Sequence, residues 1–450
     1  MKNITQLVSG ADKIPSHLPD RLSICCFIWN WIVMARDDEP YGDLEAVMAG
    51  LHSRGFNAIR VEAGLNWCFD LNGNPRGPVK FRQWIEGHSQ NLRSLNAKGG
   101  AVFDVLERVI LLMELAKKYD IYVILTSWEY QDSSWFLEDQ KMREEIWDLA
   151  DEERFQNLAR QHDRLLNVLK ERGLSSHVAF VEVHNEPECS QFWTTKPFGP
   201  GWGMPERCAL IKQHNAEAIA FLSERHSELL ITADFTLPDA RHHPDNMQVY
   251  DSHWYAGKAL YDELYKSTIK HPDFDPGHPE LLPVLQWILK KDFVPYEVYL
   301  KPAMNVRSFW RPISWFYDNI DNDRFDFWCF AHFGALEGRC REDADKMAAF
   351  HSAEAKKRDL PLVMDEGGFF FPPLGSNFEE SAACRIFFEY LANLAVKHGY
   401  WGFMPTTYCG PEHPLWDGNP EWLFKINATF RQGAINEYVE NIQAVVSLKV

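Results

Sequence analysis

Long apolar runs and basic clusters are both missing from this sequence. No stretch approaches the ~20 apolar residues that a membrane-spanning helix requires, and the first 20 residues lack the apolar core of a secretion signal. No run of Lys or Arg stands out and the net charge is −18, so a surface for nucleic acid or an anionic membrane is not expected. These absences predict a cytoplasmic protein whose partner is neutral or weakly charged.

The spacing of cysteines and histidines does not indicate a disulfide framework or a metal site. The nine cysteines lack CxxC pairs, and Cys25 and Cys26 lie in an apolar run, which is typical of buried thiols. His242 and His243 are adjacent, but neighbouring side chains diverge, and no spaced set of carboxylates or cysteines completes a site. The sequence therefore predicts no metal and no other cofactor.

Eight short apolar, β-rich runs recur along the chain, with helical patterns between most of them. They are residues 22–29, 57–63, 121–127, 177–183, 228–234, 247–254, 360–368 and 400–406. This alternation predicts an α/β fold, a (β/α)8 TIM barrel that forms a single catalytic domain over residues 1–450. Periodicity alone leaves an open doubly wound sheet as an alternative, although no GxGxxG or GxxxxGK[ST] motif follows the first run.

The connection between the sixth and seventh runs is far longer than the others. Residues 255–359 separate these strands, several times the usual loop length. In a barrel, an insertion that follows a strand lies on the face that carries the active site. We therefore expect residues 255–359 to form an inserted lid or subdomain over the cleft. The alternative is a small independent domain away from the site.

Two glutamates stand directly after apolar strands, at the strand ends where barrels place catalytic residues. Glu186 follows the fourth run and Glu366 belongs to the seventh. Strands three apart in an eight-stranded ring lie across its mouth, so both side chains are expected to point into one cleft. Glycoside hydrolysis needs such a pair: one carboxyl group protonates the leaving oxygen, and the other attacks the anomeric carbon or activates water.

Four motifs resemble the signatures of clan A glycoside hydrolases, most closely those of glycoside hydrolase family 5. FVEVHNEP (180–187) resembles the strand-four signature, and LPLVMDEGG (360–368) resembles the strand-seven signature. DSHWY (251–255) looks like the strand-six His-x-Tyr, and Arg60 in NAIRVEA matches the strand-two Arg. The motifs occur in the right order across about residues 20–420.

The resemblance implies roles for the residues at the ends of strands four and seven. Glu186 would be the acid/base, Glu366 the nucleophile, and Asn185 a ligand of the sugar hydroxyl next to the anomeric carbon. The clan retains anomeric configuration, which implies carboxyl groups ~5–5.5 Å apart. Asp365 should face away from Glu366 by strand alternation and is expected to be structural.

Further residues would support the two glutamates. By the same resemblance, Tyr255 would donate a hydrogen bond to Glu366, Arg60 would hold that carboxylate ionised, and His253 would line the subsite of the cleaved sugar. Glu182 alternates with the acid/base position and is expected to lie below the site. An arginine within an apolar strand needs a buried partner, so Glu182 is predicted to bind Arg60.

The sequence departs from the family pattern at two positions that contact sugar. Strand three ends in Ser127, Trp128 and Glu129, where many family members carry a histidine. The strand-eight tryptophan is displaced, because Trp401 falls early and Trp416 falls late. We include Trp128, Glu129 and Trp416 among the substrate-binding or supporting residues. These departures concern the substrate more than the reaction class.

Tryptophan is abundant, with 17 residues in 450. Flat faces that stack on sugar rings would account for the excess, and a bulky core is the alternative. The stacking candidates at loop positions are Trp29, Trp31, Trp128, Trp193, Trp310 and Trp416.

The sequence as a whole predicts a retaining glycoside hydrolase. We expect it to cleave β-glycosidic bonds of small glycosides or oligosaccharides from a chain end, with a carbohydrate as its only partner. Two alternatives stay open, a sugar-binding barrel without catalysis and a metal-dependent barrel hydrolase that uses His242, His253 and Asp234. The residues indicate neither the sugar nor the oligomeric state.

Overall fold

Eight parallel strands form the central sheet of the computed structural model. It describes residues 8–83, 88–92, 95–131, 133–189, 205–236, 240–301 and 311–441. The strands are β1 (Leu22–Ile28), β2 (Ala58–Glu62), β3 (Tyr122–Thr126), β4 (Val178–Glu182), β5 (Ile231–Thr232), β6 (Tyr250–Asp251), β7 (Leu362–Met364) and β8 (Gly402–Phe403). Each lies within one of the eight predicted runs.

The strands follow one another around a ring in the order β5-β4-β3-β2-β1-β8-β7-β6, and every pairing is parallel. Hydrogen bonds also join the two ends of this order. The backbone N–H of Gln248 donates to Ile231 O at 3.2 Å, and Thr232 Oγ1 donates to Val249 O at 2.6 Å. The sheet is therefore a nearly closed barrel, and the predicted (β/α)8 fold is confirmed.

The lower half of the barrel interior is apolar. One buried cluster takes side chains from strands around the ring, including Ile24, Ala58, Ile124 and Phe180, and these four are fully buried. Side chains alternate along a strand, so the residues two positions beyond Ala58 and Phe180 also point inward. Those residues are charged, and they form the floor of the site described below.

Seven helices follow strands on the outside of the barrel. They are α1 (Leu44–Ser53), α2 (Val105–Tyr119), α3 (Asp151–Glu171), α4 (Pro205–Arg225), α5 (Asn322–Arg358), α6 (Ala382–His398) and α7 (Pro420–Arg431). Four have a side-chain N-cap that accepts from a backbone N–H of the first turn: Asp43, Asp104, Asp321 and Ser381. Within the described residues, β5 leads to β6 with no α-helix between them.

Shorter elements lie in the loops. The short α-helices are Asn30–Val33, Leu65–Cys68, Gln140–Trp147, Lys258–Lys266, Pro283–Ile288, Tyr296–Leu300, Arg311–Asn319 and Pro414–Gly418. The 3-10 helices are Ala11–Lys13, Ser133–Phe136, Ser175–His177, Ala240–His242 and Pro279–Leu281. Two small ladders pair Pro78–Lys80 with Val102–Asp104 and Trp254–Tyr255 with Gly367–Gly368.

The described part of the segment 255–359 is helical and ends in α5, which packs against α6. Other residues of the segment touch loops at the carboxyl ends of the strands. Asp318 accepts from Tyr299 Oη at 2.6 Å and from the backbone N–H of Asn91, after β2, at 2.9 Å. Tyr317 Oη donates to the backbone of Phe371, after β7. The covering role of this segment stays a prediction.

Cys25 and Cys26 are buried free thiols, as predicted. Among the described helices, none combines the length and apolarity needed to cross a membrane.

The barrel interior gives a first testable prediction. Phe180 is fully buried, with its ring centre 6.0 Å from that of Trp401. Phe180→Ala should lower the free energy of unfolding by about 3–5 kcal/mol, because the loss of the ring leaves a cavity between strands that cannot collapse. Urea unfolding measures the change. Phe424→Ala is the matched control, since this α7 ring is 52% exposed, and an equal loss in both variants would contradict the packing described.

Candidate active site

Arg60 is the cation at the centre of the site. It lies on β2, one layer above Ala58, and is fully buried. Four carboxylates surround its guanidinium, with the closest nitrogen-to-oxygen distance given for each: Glu182 (2.7 Å), Asp234 (2.5 Å), Asp365 (3.1 Å) and Glu366 (2.8 Å). Burial alone would lower the pKa of Arg60, but these acids raise it well above its usual value. The predicted contact between Glu182 and Arg60 is present.

Glu366, at the end of β7, is held at both carboxylate oxygens. Tyr255 Oη donates to Oε1 at 2.8 Å, and Arg60 Nη1 donates to Oε2 at 2.8 Å. A second hydroxyl, that of Tyr408, lies 3.0 Å from Tyr255 Oη. The Glu366 side chain is only 7% exposed. The carboxylate is therefore fixed in orientation.

Glu186, in the loop that follows β4, is held at its main chain and at its side chain. Its backbone N–H donates to Asp234 Oδ1 at 2.8 Å, and its Oε1 lies 2.9 Å from His253 Nδ1. The backbone has φ +41°, a left-handed conformation that favours glycine. Such strain costs about 1–3 kcal/mol and persists only where surrounding contacts impose it. At 15%, the side chain is more exposed than that of Glu366.

His253 connects the two halves of the site. Its Nδ1 faces Glu186, while its Nε2 lies 3.2 Å from Asp365 Oδ1 and 3.3 Å from Asp234 Oδ2. Burial alone would lower the pKa of His253, but Asp234 and Glu366 raise it well above the ordinary value. The ring is therefore positively charged and balances part of the acid cluster.

The two candidate catalytic carboxylates are close to each other. One oxygen of Glu186, one of Glu366 and a ring nitrogen of His253 all lie within 4.8 Å of one another. Three such atoms could in principle bind a metal ion. At this position, however, a metal ion would face the guanidinium of Arg60, and Tyr255 and Arg60 already bind both oxygens of Glu366. The donor set suits a substrate better than a cation.

The metal-dependent alternative used His242, His253 and Asp234. Among the described residues, these three do not bring their ligand atoms close enough together to hold one metal ion. Asp234 and His253 are neighbours, but His242 Nε2 lies 3.1 Å from the Sγ of Cys208.

Other predicted residues lie in different surroundings. Asn185 accepts from Arg60 Nη2 at 2.7 Å and donates to Gln131 at 2.8 Å. Its side-chain amide is therefore hydrogen-bonded to residues of the floor of the site. Trp128 lies over the Arg60 guanidinium at 4.6 Å, and its ring is in edge contact with that of Trp29 at 6.0 Å. Asn185 and Trp128 therefore contact Arg60, and Trp29 packs against Trp128.

Trp416 is not brought into this cluster. It packs against α1, where the guanidinium of Arg54 lies 4.0 Å from its ring centre. Trp193 and Trp310 lie outside the described residues.

Glu129 forms part of a buried acid pair beside the site. Its Oε1 accepts from the backbone N–H of Asn66. Glu62, at the end of β2, accepts from the backbone of Trp128 at 2.7 Å and Gly64 at 3.0 Å. Burial raises the pKa of Glu62 to about 7. Burial, followed by the charge of Glu62, raises the pKa of Glu129 to about 8. The pair therefore releases its protons at a higher pH than ordinary glutamates do.

Asp365 and Tyr408 contact the site but were not among the predicted site residues, and Asp234 was named only for the metal-dependent alternative. Asp365 was expected to be structural, and it bridges Arg60 and His253. Tyr408 has φ +43°, which no sequence signal indicates. Asp234 ends the fifth run, and this position on an apolar strand is the one signal that could have identified it.

Comparison with known proteins identifies the family. A family model described as a sugar-binding, cellulase-like domain matches residues 24–259, just over half of the chain. The chain belongs to this cellulase-like family. A search of the curated proteins found no match. The family assignment and the barrel together confirm the resemblance to clan A glycoside hydrolases that the motifs predicted.

A solved structure with a TM-score above 0.5 shows the same fold. A candidate glycoside hydrolase from Parabacteroides distasonis has a TM-score of 0.61 and 17% identity, with 93% of this chain and 96% of that chain covered. A family 5 mannosidase from Rhizomucor miehei has a TM-score of 0.47 and 10% identity, with 96% of this chain and 99% of that chain covered. A family 5 broad-specificity endoglucanase from Clostridium acetobutylicum has a TM-score of 0.47 and 14% identity, with 96% of this chain and 100% of that chain covered.

The acid pair gives a prediction about stability. Glu129 ionises near its ordinary pKa when unfolded and near about 8 when folded, so its contribution to stability is present at low pH and is lost as the pH rises towards 8. Glu129→Gln removes the ionisable group, so the variant does not undergo this loss of stability as the pH rises. The free energy of unfolding of the variant, minus that of the wild type, should therefore increase from pH 5 to pH 8.

Urea unfolding at several pH values measures this difference. Glu114→Gln, on the exposed face of α2, gives the baseline for removing one surface charge. A difference that is flat with pH for Glu129→Gln would contradict the assignment.

Proposed function

We propose that this cellulase-like protein is a retaining glycoside hydrolase. The observation that carries the proposal is the pairing of Glu186 and Glu366, which have oxygens within 4.8 Å of each other at the mouth of the barrel. Retaining enzymes have carboxyl groups ~5–5.5 Å apart, whereas inverting enzymes need ~6.5–9.5 Å to admit a water molecule. The short separation favours the retaining reaction.

In the first step, Glu366 attacks the anomeric carbon while Glu186, carrying a proton, donates it to the leaving oxygen. The bond between the anomeric carbon and that oxygen breaks, and a glycosyl ester forms on Glu366. Arg60 and Tyr255 suit this role, because both donate to the carboxylate and hold it in one orientation. In the second step, Glu186 removes a proton from water, which attacks the same carbon and releases Glu366.

The contacts of His253 suit the change in role of the acid/base. The charged ring donates from Nδ1 to Glu186 Oε1 and from Nε2 towards Asp365 and Asp234. Oε1 can accept this hydrogen bond in both protonation states, because the proton that Glu186 donates is then carried on Oε2. The ring therefore keeps one orientation while Glu186 changes its role.

We further propose β-linked small glycosides or oligosaccharides as substrates, cleaved from a chain end. Segment 255–359 supports this, because its Asp318 and Tyr317 bind loops that follow β2 and β7. A segment joined to these loops suits a lid over a pocket better than the border of an open groove. Trp128 and Trp29 would then contribute aromatic surface at the sugar site.

The nucleophile can be tested directly. A 2-deoxy-2-fluoro glycoside with a good leaving group should form a stable ester with the wild type, seen by intact mass, whereas Glu366→Ala should form none and lose about 10³-fold or more in kcat. NMR of the first-formed anomer from an aryl glycoside should show retention. First-formed product of inverted configuration would refute the retaining mechanism, and tight sugar binding without turnover across α- and β-glycosides would indicate a binding protein.

The acid/base has a different expected signature. Glu186→Ala should lose about 10²–10⁴-fold in kcat/KM on a substrate with a poor leaving group, such as a phenyl glycoside. It should lose much less on a 2,4-dinitrophenyl glycoside, which departs without protonation. Steady-state kinetics on both substrates measure the difference. Equal losses on the two would exclude Glu186 as the proton donor.

A further inference from the structure

Asp234 is placed to control the acid/base without touching a substrate. It is fully buried and lies just beyond β5. Its Oδ1 accepts from the backbone N–H of Glu186 at 2.8 Å. Its Oδ2 lies 2.5 Å from Arg60 Nη2 and 3.3 Å from His253 Nε2. One carboxylate therefore binds the main chain of Glu186, the ring that binds the Glu186 side chain, and the guanidinium that binds Glu366.

The hydrogen bond to the Glu186 N–H matters because the backbone there is left-handed, with φ +41°. For a residue other than glycine the left-handed conformation is strained, and it persists only where surrounding contacts impose it. Of the described hydrogen bonds of the Glu186 main chain, the bond to Asp234 is the one whose partner is an ionisable side chain. Without it, the residue can return to an ordinary conformation, and the carboxyl group then leaves its position beside His253.

A comparison with Glu182 separates this effect from general support of the site. Glu182 is also fully buried and also binds Arg60, at 2.9 Å from Nε and 2.7 Å from Nη2. Glu182 also shares a hydrogen bond with Asp365, whereas the Glu186 backbone bonds to Asp234. The two acids are therefore alike in burial and in contact with Arg60, and they differ in that only Asp234 contacts the Glu186 backbone and His253.

We propose that Asp234 is the positioning residue of the acid/base: it holds the left-handed main chain of Glu186 and, through His253, the direction of its carboxyl group. This inference rests on the proposed glycosidase function. Its consequence is specific to proton donation. Loss of Asp234 should impair the cleavage of bonds whose leaving group needs a proton more than the cleavage of bonds whose leaving group does not.

Asp234→Asn is the principal test. Asparagine is close in size, but it offers one acceptor oxygen where three donors converge, and its amide hydrogens then face a donor. The kcat/KM values of the wild type and the variant are measured on a phenyl glycoside and a 2,4-dinitrophenyl glycoside of the same sugar. The loss should be about 10-fold or more larger on the phenyl glycoside, as part of the ~10²–10⁴-fold contribution of a positioned general acid.

Glu182→Gln is the matched control. Any loss that it causes through Arg60 and Glu366 should be equal on the two substrates. Thermal unfolding of both variants establishes that they fold. If Asp234→Asn does not fold, Asp234→Ser replaces it, because serine keeps a small acceptor and removes the charge; the same ratio of losses is then expected.

The outcomes distinguish this inference from the function on which it rests. Turnover by the wild type together with equal losses on both substrates in the Asp234 variant overturns the inference alone. An equally selective loss in Glu182→Gln also overturns it, because the effect would then belong to Arg60. Absence of wild-type turnover on every glycoside overturns the proposed function, and the inference with it.

Discussion

The ion cluster around Arg60 is the interaction on which the rest of the site depends. A buried guanidinium is costly unless its charge is compensated. Here the compensating acids come from different strands: Glu182 ends β4, Asp234 follows β5, and Glu366 follows β7. The same residues that neutralise Arg60 therefore fix the positions of the strand ends. One contact set serves both the fold and the geometry of the candidate catalytic pair.

The cluster also sets the electrostatics of the cleft. His253 and Arg60 are the two cations within it, and each contacts one of the two candidate catalytic carboxylates. The remaining acids lie behind these cations, away from the mouth. Arg60 and Tyr255 hold Glu366 at both oxygens, whereas Glu186 faces His253. The candidate acid/base and nucleophile thus have different surroundings, although one oxygen of each lies within 4.8 Å of the other.

Much of this organisation could be predicted from the sequence, because it depends on local rules. The eight apolar runs predicted the strands, and an arginine on an apolar strand predicted its contact with Glu182. Asp234 was harder to identify, because its contact with Glu186 depends on the register between the paired strands β4 and β5. Trp416 was expected near the sugar, but its loop returns to α1, where Arg54 covers the ring. Contacts that depend on long-range packing cannot be predicted from the local spacing of residues in the sequence.

The distribution of the cluster over the ring has a consequence for folding. Arg60 is in the second strand, and Asp365 follows the seventh, some 300 residues later. A chain in which only the first half of the barrel has formed would bury Arg60 with Glu182 but without Asp365 and Glu366. Contacts of such sequence separation form late and slowly. The charge cluster therefore links the two halves of the barrel, since a half-built barrel leaves Arg60 without the hydrogen-bond partners that its last strands supply.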